Sequence, residues 1–159
     1  MILAVLTISD RCSQGLQTDT AGPAVCELLR AQWPGAEIRA GLLPDEEDRI
    51  AARLIELSHE GAALILTAGG TGLGPRDRTP EATRRVIDRE APGLAEAMRA
   101  LGAASTPYAW LSRGVAGLRD TTLIVNLPGS RRGAEQSLAP ILPLLRHALE
   151  VVAGGQMHP

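Results

Sequence analysis

The sequence predicts an α/β fold, a three-layer α/β/α sandwich around a mainly parallel sheet. Two observations favour this class. Short apolar segments rich in β-branched residues alternate with amphipathic helical patterns along the chain. The strand-like segments are almost wholly apolar, as expected for strands that are buried on both faces. No internal repeat, low-complexity segment or linker divides the 159 residues, so a single domain covering 1–159 is expected.

The first half of the chain is expected to hold three strands and two helices. The strands are the apolar segments 2–8, 37–43 and 62–67. The first helix covers about 20–33 and stops before the Pro34-Gly35 pair. The second covers 45–60, is amphipathic, and is followed by Gly61. This order of strand, helix and strand is typical of a parallel sheet.

The second half begins with a strong helix signal, Thr79-Pro80-Glu81, in which threonine is the expected N-cap and proline the first helical residue. That helix is expected to run to about residue 90, followed by a short helix at 92–101 and strands at 115–118 and 122–127. The final helix extends to about residue 152, with a break near Ala139. The break places Pro140 and Pro143 in a first turn, where proline is tolerated.

Polar or glycine-rich segments follow four of the predicted strands. They are Ser9-Asp10-Arg11, Pro44-Asp45, the long stretch AGGTGLGPRDR and the stretch NLPGS. In parallel α/β sheets, ligands bind beyond the carboxyl ends of the strands. We therefore expect these segments to converge on one edge of the sheet and to form the binding site there.

The composition restricts the possible partners. The net charge is −2, so no overall positive field favours nucleic acid or an anionic membrane, and neither partner is expected. The only aromatic residues are Trp33, Tyr108 and Trp110, too few for a base-stacking platform. The chain contains no lysine. Any phosphate must therefore be bound by arginine, by backbone N–H groups or through a metal.

The sequence also indicates a cytoplasmic location. The first residues lack a basic stretch before an apolar one, and no run approaches the roughly 18 apolar residues of a membrane span. The two cysteines, Cys12 and Cys26, have no metal-ligand spacing and are too few for a disulfide framework. They are interpreted as reduced packing residues.

Several common enzyme classes are disfavoured by their motifs. A Walker A loop requires a lysine, and the dinucleotide fingerprint fails because Pro75 stands where its third glycine belongs. No G-x-S-x-G motif of a serine hydrolase is present. The histidines His59 and His147 lie within amphipathic helices and His158 lies near the C-terminus, so none is expected to be catalytic.

The glycine-rich stretch after the third strand can bind an anion. Backbone N–H groups of Gly69, Gly70, Thr71 and Gly72 could point inward and form a nest for phosphate oxygens. The alternative is an ordinary turn between a strand and a helix. The aspartate and threonine that follow, and the other polar strand ends, favour the anion site.

Two aspartates, Asp45 and Asp77, are candidates for metal binding. Paired carboxylates beside a phosphate site can hold Mg²⁺, which retains several waters and bridges phosphate oxygens. Asp45 has an alternative role as a helix N-cap. For Asp77 that alternative is weaker, because Thr79 is the expected cap of the next helix.

Six motifs, in order, carry a resemblance to a known family: TISDR, LLPDEED, LTAGGTGLGPRDRTPEAT, APGLAEAMR, LSRGVAG and LIVNLPGS. Together they resemble the MogA/MoaB family of molybdenum cofactor biosynthesis, which includes the N-terminal domain of gephyrin. The resemblance implies a sandwich around a mostly parallel mixed sheet with one antiparallel strand, assembled as a homotrimer or a dimer of trimers. It also implies adenylylation of molybdopterin with Mg²⁺ and ATP, and release of pyrophosphate.

The resemblance assigns roles to individual residues. Asp45 and Asp77 match carboxylates that the family associates with catalysis and metal binding. The ligand-binding residues implied by the matching motifs are Ser9, Asp10, Arg11, Gly69, Gly70, Thr71, Gly72, Thr79, Asn126, Pro128, Gly129 and Ser130. Two positions depart from the family pattern: Ala68 replaces a common hydroxyl residue, and Arg131 stands where proline often follows the PGS loop.

Two alternatives to the enzyme remain at this level. Some short members of the family have no clear adenylylation role, so the chain could bind a pterin or a nucleotide without turnover. A related domain in competence-damage proteins serves nucleotide pyrophosphate hydrolysis, but those proteins usually carry a further C-terminal domain. The presence of both aspartates favours the adenylyltransferase.

Overall fold

The computed structural model describes residues 1–154 and contains one six-stranded sheet with helices on both faces. His158 lies outside the described residues. The strands are β1 (Ile2–Ile8), β2 (Glu37–Leu43), β3 (Ala62–Ala68), β4 (Arg89–Glu90), β5 (Ala116–Arg119) and β6 (Thr122–Leu127). The helices are α1 (Asp10–Ser13), α2 (Ala21–Gln32), α3 (Glu47–His59), α4 (Thr79–Val86), α5 (Pro92–Ala103), α6 (Arg131–Leu138) and α7 (Leu142–Val152). Two 3₁₀ turns cover Pro107–Leu111 and Ala139–Ile141.

The strand order is β2-β1-β3-β6-β5-β4. The first four strands of this order are mutually parallel. Strand β5 runs antiparallel to both of its neighbours, β6 and β4. The predicted α/β sandwich around a mostly parallel mixed sheet is therefore confirmed, including its single reversed strand.

The core lies on both faces of this sheet because successive side chains of a strand point to opposite sides. On β1, Leu3 and Val5 pack towards α2, whereas Leu6 packs towards α3. The first face is covered by α2, α5, α6 and α7, and the second by α3 and α4. Burial on both faces explains why the central strands are continuously apolar.

The helix expected from residue 79 to about residue 90 is shorter than predicted. It ends at Val86, and Ile87 has extended dihedral angles. The amide of Asp88 donates to the carbonyl of Leu118 at 2.7 Å, and Arg89–Glu90 pairs with β5. Pairing with the sheet edge thus replaces the last turn of the predicted helix, and an unpredicted strand, β4, takes its place.

The predicted N-cap Thr79 is wrong, and Asp45 does not have its alternative role as an N-cap. The N-cap of α3 is Glu46 and not Asp45, and the N-cap of α4 is Arg78 and not Thr79. The hydroxyl of Thr79 makes no capping hydrogen bond; it is buried. Both side chains are therefore available for other interactions at the edge of the sheet.

The C-terminal third contains a helix, α6, that was not predicted. It starts after Ser130, whose hydroxyl accepts a hydrogen bond from the amide of Gly133 at 3.1 Å. Arg131, where the family often has proline, is the first residue of this helix. The predicted break near Ala139 is confirmed, since a 3₁₀ turn at Ala139–Ile141 separates α6 from α7. Within residues 1–154, no helix is long and apolar enough to cross a bilayer.

Candidate active site

The four polar strand ends meet at the carboxyl edge of the parallel strands. The amide of Ser9, after β1, donates to the carbonyl of Leu43 at the end of β2, at 2.8 Å. The amide of Gly69, after β3, donates to the carbonyl of Leu127 at the end of β6, at 3.1 Å. These backbone bonds continue the sheet pairing one step beyond the strands and hold the four loops side by side.

The glycines at the start of the loop after β3 fit where no other residue would. Gly69 and Gly70 have φ angles of 117° and 64°, in the region that side chains disfavour. A Cβ at Gly69 would lie 2.1 Å from the carbonyl oxygen of Ile8. A Cβ at Gly70 would lie 2.2 Å from the Thr79 hydroxyl and 3.1 Å from Oδ1 of Asp45. The backbone therefore passes directly over Asp45 and Thr79.

The loop after β6 packs against the same glycine segment. A Cβ at Gly129 would lie 3.0 Å from Cα of Gly69, so the two loops touch through their backbones. Ser130 then caps α6, and both Gly129 and Ser130 are exposed. The start of α6 thus faces the glycine loop, and Pro128 lines the space between them.

Asp45 and Asp10 hold one another through reciprocal hydrogen bonds. The amide of Asp10 donates to Oδ2 of Asp45 at 2.9 Å, and the amide of Asp45 donates to Oδ1 of Asp10 at 3.0 Å. Arg76, from the loop after β3, donates twice to the carboxylate of Asp10, at 2.9 and 3.0 Å. These contacts connect the ends of β1, β2 and β3.

The pKa values of Asp45 and Asp10 are shifted in opposite directions by these surroundings. Burial raises the pKa of Asp45, and the negative charges of Asp10 and Asp77 act in the same direction. The hydrogen bond from Arg76 lowers the pKa of Asp10. Asp45 thus sits in a region where added positive charge is favourable, because its own charge is poorly solvated.

Asp77 lies at the exit of the glycine loop. Its Oδ2 accepts a hydrogen bond from the amide of Gly74 at 2.8 Å, and a Cβ at Gly72 would lie 2.9 Å from the same oxygen. Its carboxylate is therefore fixed by the loop itself and faces the loop's inner side. The second oxygen, Oδ1, has no hydrogen-bond partner within residues 1–154.

Arg113 braces this loop and was not predicted as a site residue. Its Nε donates to the carbonyl of Gly72 at 2.7 Å, and its Nη2 donates to the carbonyl of Asp77 at 2.6 Å. Its Nη1 pairs with the carboxylate of Glu81 in α4. Its amide also donates to the carbonyl of Thr71 at 2.9 Å. The residue occurs in LSRGVAG, but nothing in its type or spacing indicated this contact.

Thr79 and Asn126 lie beneath the loops. The hydroxyl of Thr79 is fully buried and has no hydrogen-bond partner within residues 1–154. The amide group of Asn126 donates to the hydroxyls of Thr67 and Thr83, and its oxygen accepts from the amide of Val115. The side chain of Asn126 thus ties β6, β3 and α4 together. Its predicted role in ligand binding stays a prediction.

Two further predicted residues lie at the β1 end. Ser9 caps α1 by accepting a hydrogen bond from the amide of Cys12 at 3.2 Å. Arg11 is exposed on α1, and its side chain makes no hydrogen bond or ion pair with the described residues. The structure brings Ser9, Asp10 and Asp45 together and leaves the side chain of Arg11 outside this cluster.

A cleft of about 400 Å³ opens beside the glycine loop. One end is formed by the loops after β3 and β6, which contribute Asp77 and backbone groups. The opposite wall is formed by α5 and the first 3₁₀ turn, with apolar side chains. The lining residues on this wall are Ala95, Met98, Arg99, Gly102, Thr106, Tyr108, Ala109, Leu111 and Ser112. The cleft therefore joins a polar end, rich in backbone donors, to an apolar end.

The donor set around Asp45 and Asp77 suits Mg²⁺ shared with a substrate. Within residues 1–154, no group of three or more His, Cys, Asp or Glu side chains is placed to hold a metal ion by itself. Magnesium, however, is commonly held by one or two carboxylates together with substrate phosphates and water. Asp45 Oδ1 and the unpartnered hydroxyl of Thr79 both lie close beneath Gly70. These oxygen donors fit such a shared site.

Comparisons with known proteins agree with this arrangement. Residues 4–147 match a family described as a probable molybdopterin binding domain. A molybdopterin adenylyltransferase of Helicobacter pylori (strain J99) is 36% identical over 157 residues, covering 98% of this chain and 89% of that protein. The corresponding protein of Escherichia coli K12 is 42% identical over 138 residues, covering 86% and 71%.

Longer curated relatives and a solved structure are also similar to this chain. The Drosophila melanogaster molybdenum cofactor synthesis protein cinnamon is 40% identical over 149 residues, covering 93% of this chain. The chain spans only 25%, 22% and 47% of the length of the first three curated relatives. The crystal structure of a molybdopterin biosynthesis enzyme, MoaB, from Thermus thermophilus superposes with a TM-score of 0.88 at 50% identity, covering 99% of both chains.

Proposed function

Because the chain belongs to the molybdopterin-binding domain family, we propose that it is a molybdopterin adenylyltransferase. It transfers AMP from ATP to the terminal phosphate of molybdopterin and releases pyrophosphate. Relatives that carry the name molybdopterin adenylyltransferase align with almost the whole chain. The observation that carries the proposal is that Asp45 and Asp77 both lie against the glycine loop, near Gly70 and Gly72, and that this loop lines the cleft.

The glycine loop is proposed to bind phosphate groups. Gly70, Thr71 and Gly72 of this loop line the polar end of the cleft, whereas the N–H of Gly69 is bonded to the carbonyl of Leu127, and lysine is absent from the chain. The absence of Cβ atoms at Gly69 and Gly70 lets the loop pack closely over Ile8, Asp45 and Thr79, which places its backbone at the polar end of the cleft. The loop after β6, with the start of α6 behind it, is proposed to bind a second phosphate group.

Magnesium is proposed as the metal, held by Asp45 and Asp77 together with phosphate oxygens of ATP. When bound, the ion neutralises negative charge on the phosphates. The two carboxylates orient the triphosphate relative to the cleft. Charge on the departing pyrophosphate is further stabilised by the backbone N–H groups of the loop.

In the proposed reaction, an oxygen of the terminal phosphate of molybdopterin attacks the α-phosphorus of ATP. The bond from the α-phosphorus to the bridging oxygen breaks as the new P–O bond forms, and pyrophosphate leaves. The attacking oxygen is already deprotonated near neutral pH, so no general base is required. The rate therefore depends on positioning the two substrates and on stabilising the charge of the departing pyrophosphate. This suits a cleft whose described lining residues contain no histidine.

The reaction is tested by single-turnover formation of adenylylated molybdopterin with the purified protein, ATP and Mg²⁺. We expect one pyrophosphate to be released for each adenylylated product. If both ligands bind and no product forms, the chain is instead a silent binding protein of this family. Hydrolysis of ATP without transfer to molybdopterin would favour the pyrophosphate-hydrolase alternative.

A homotrimer, or a dimer of trimers, in the cytoplasm is part of the same proposal. It is supported by the family resemblance and by large apolar side chains that are exposed in the single chain. These include Leu101, Trp110 and Leu144, which do not line the cleft. Light scattering at micromolar concentration tests the assembly, and a particle of 16.7 kDa, the mass of one chain, would contradict it.

A further inference from the structure

The cleft contains only two charged side chains among its described lining residues, Asp77 and Arg99. Asp77 lies at the polar end, and Arg99 comes from α5 on the opposite wall. Since the chain has no lysine, arginine is the only side chain that can bring a permanent positive charge into this space. Arg99 was part of the motif APGLAEAMR but received no role in the sequence analysis.

The guanidinium of Arg99 is anchored without being neutralised. Its Nη1 donates to the backbone carbonyls of Ser112 at 3.3 Å and Gly114 at 3.0 Å. No carboxylate of residues 1–154 forms an ion pair with it, whereas Arg76 and Arg113 are both paired with acidic side chains. The Nε and Nη2 groups of Arg99 have no hydrogen-bond partner within the same residues.

We propose that Arg99 binds a phosphate group of the ligand in the cleft, beside the segment 112–114 that adjoins the glycine loop. This inference rests on the proposed function, because it requires a phosphate-bearing ligand in that space. A guanidinium presents its donors in a fixed planar fork that matches phosphate oxygens. Anchoring by two carbonyls holds one nitrogen in place, so less side-chain entropy is lost when the remaining donors bind. Partial burial of Arg99 strengthens the interaction further.

The proposal concerns the chemistry of a phosphate ester, which two substrates share. The phosphate could be the terminal phosphate of molybdopterin or a phosphate of ATP. The neighbouring wall of the cleft is apolar and carries one aromatic side chain, Tyr108, which suits the flat ring of either molecule. Separate titrations distinguish the two sources.

The first test compares Arg99→Gln and Arg99→Lys with the wild-type protein by calorimetric titration of ATP and, separately, of molybdopterin. Loss of a charge-assisted hydrogen bond predicts that Arg99→Gln binds one of the two ligands about ten- to a hundredfold more weakly. Arg99→Lys keeps the charge without the planar fork, so its loss is smaller. The affected ligand identifies which phosphate Arg99 binds.

Arg146→Gln is the matched control. Arg146 also donates to a backbone carbonyl, that of Gln32, but it lies on α7 and does not line the cleft. We expect its affinities for both ligands to equal those of the wild type. A folded Arg99→Gln variant that binds both ligands as tightly as Arg146→Gln would overturn the proposal.

A second measurement uses the unaltered protein and remains decisive if Arg99→Gln does not fold. The arginine Nε–H signals are recorded by ¹⁵N-correlated NMR, and the signal of Arg99 is assigned by its absence from Arg99→Lys. We expect this signal to shift on addition of ATP or of molybdopterin, while that of Arg146 does not. An Arg99 signal that stays in place at saturation with each ligand would contradict direct contact.

The two proposals fail in different ways. Wild-type protein that binds neither ligand would overturn both the proposed function and the role of Arg99. Wild-type protein that binds and adenylylates molybdopterin, with unchanged affinities in the Arg99 variants, would overturn the role of Arg99 alone.

Discussion

The two candidate catalytic carboxylates lie against the same glycine loop but are held by different means. Asp45 follows β2 and is fixed by the backbone of Asp10 at the end of the neighbouring strand. Asp77 belongs to the loop itself, accepts a hydrogen bond from Gly74, and depends on Arg113 for its backbone position. Asp45 is therefore positioned by the ends of two neighbouring strands, whereas Asp77 is positioned by its own loop and by Arg113.

The two aspartates also differ in how far they are exposed to a ligand. Asp45 is partly desolvated and lies under Gly70, whereas Asp77 opens onto the cleft. A residue held by neighbouring strands tolerates changes in distant loops. A residue held by a braced loop responds to any change in the brace. Variants in each region should therefore produce different combinations of activity, affinity and stability.

The largest expected effect is that of Asp77→Asn. The amide oxygen can still accept the hydrogen bond from Gly74, so the loop is retained while the charge is lost. Removing one preorganised electrostatic group typically lowers the rate by about 10²–10³. We expect this loss in single-turnover adenylylation, with a melting temperature close to that of the wild type.

Asp88→Asn is the control for this variant. Asp88 accepts a hydrogen bond from the amide of Asp120 at 2.7 Å, so the chemical change is the same, and it does not line the cleft. Its turnover should be unchanged. Near-normal turnover of Asp77→Asn would remove Asp77 from the proposed metal site.

The next effect is that of Gly70→Ala, which adds a methyl group against Thr79 and Asp45. The new Cβ would meet the Thr79 hydroxyl at 2.2 Å, and the φ angle of 64° is unfavourable for alanine. We expect a loss of about 1–3 kcal/mol in the free energy of unfolding and weaker binding of ATP in calorimetric titration. Gly35→Ala, which has open space around its Cβ position, should change neither quantity.

The hydrogen bond from Arg113 to the backbone of Asp77 predicts that substitutions of these two residues have coupled effects on the rate. Arg113→Met should lower the rate of adenylylation by about 10–100-fold, as is typical for residues that support a site from outside. Because Arg113 acts on Asp77, the rate losses of Arg113→Met and Asp77→Asn should be less than additive when combined. Combination of Arg113→Met with Asp45→Asn should show weaker coupling, because Arg113 contacts only Asp77 and reaches Asp45 through the metal site that the two aspartates are proposed to share. Equal coupling to both aspartates would contradict the separation of the two regions.

The smallest effect is on the pH dependence of stability. The pKa of Asp45 is raised in the folded protein, so this group destabilises the fold as pH rises from about 4, the ordinary pKa of aspartate. Asp45→Asn should therefore be more stable than the wild type at neutral pH, with no advantage below about pH 4. Thermal melts across this pH range provide the measurement.

Asp10→Asn should show the opposite sign. The pKa of Asp10 is lowered in the folded protein by Arg76, so its charged form stabilises the fold above its ordinary pKa. That stability is lost as pH falls through the lowered value. The variant should be less stable than the wild type at neutral pH and equal to it in strong acid. Parallel pH profiles for the two variants would contradict their opposite environments.

The parallel half of the sheet could be predicted because its signals are local. Strands β1, β2, β3 and β6 are apolar segments bounded by polar or glycine residues, and their carboxyl ends meet where expected. Strand β4 could not be predicted, because Arg89–Glu90 is exposed and polar, and forms a strand only by pairing with β5. The helix signal at Thr79 and Pro80 was real, but its end was determined by that pairing.

The same distinction applies to the site. The backbone loops and both aspartates stand in motifs at strand ends, so their sequence neighbours indicate their position. Arg113 binds the carbonyls of Gly72 and Asp77, 41 and 36 positions away, and Arg99 lines the same cleft from another helix. No local pattern distinguishes them from the other arginines of the chain. Only the packing of α5 and the start of β5 against the loops brings them to the site.

Because β5 is antiparallel to its neighbours, the cleft wall is formed by a segment that leaves and re-enters the sheet at adjacent strands. The chain leaves the sheet after β4 and returns at the start of the adjacent β5, at the same edge where the parallel strands end. The excursion between them, residues 91–115, forms α5, the first 3₁₀ turn and the segment carrying Arg113. Its two ends are neighbours, since the amide of Ala91 donates to the carbonyl of Ala116. Evolution can therefore lengthen or replace the part of this excursion that precedes Arg113, and with it the shape selected for the ring of a ligand, while Arg113 continues to hold the glycine loop.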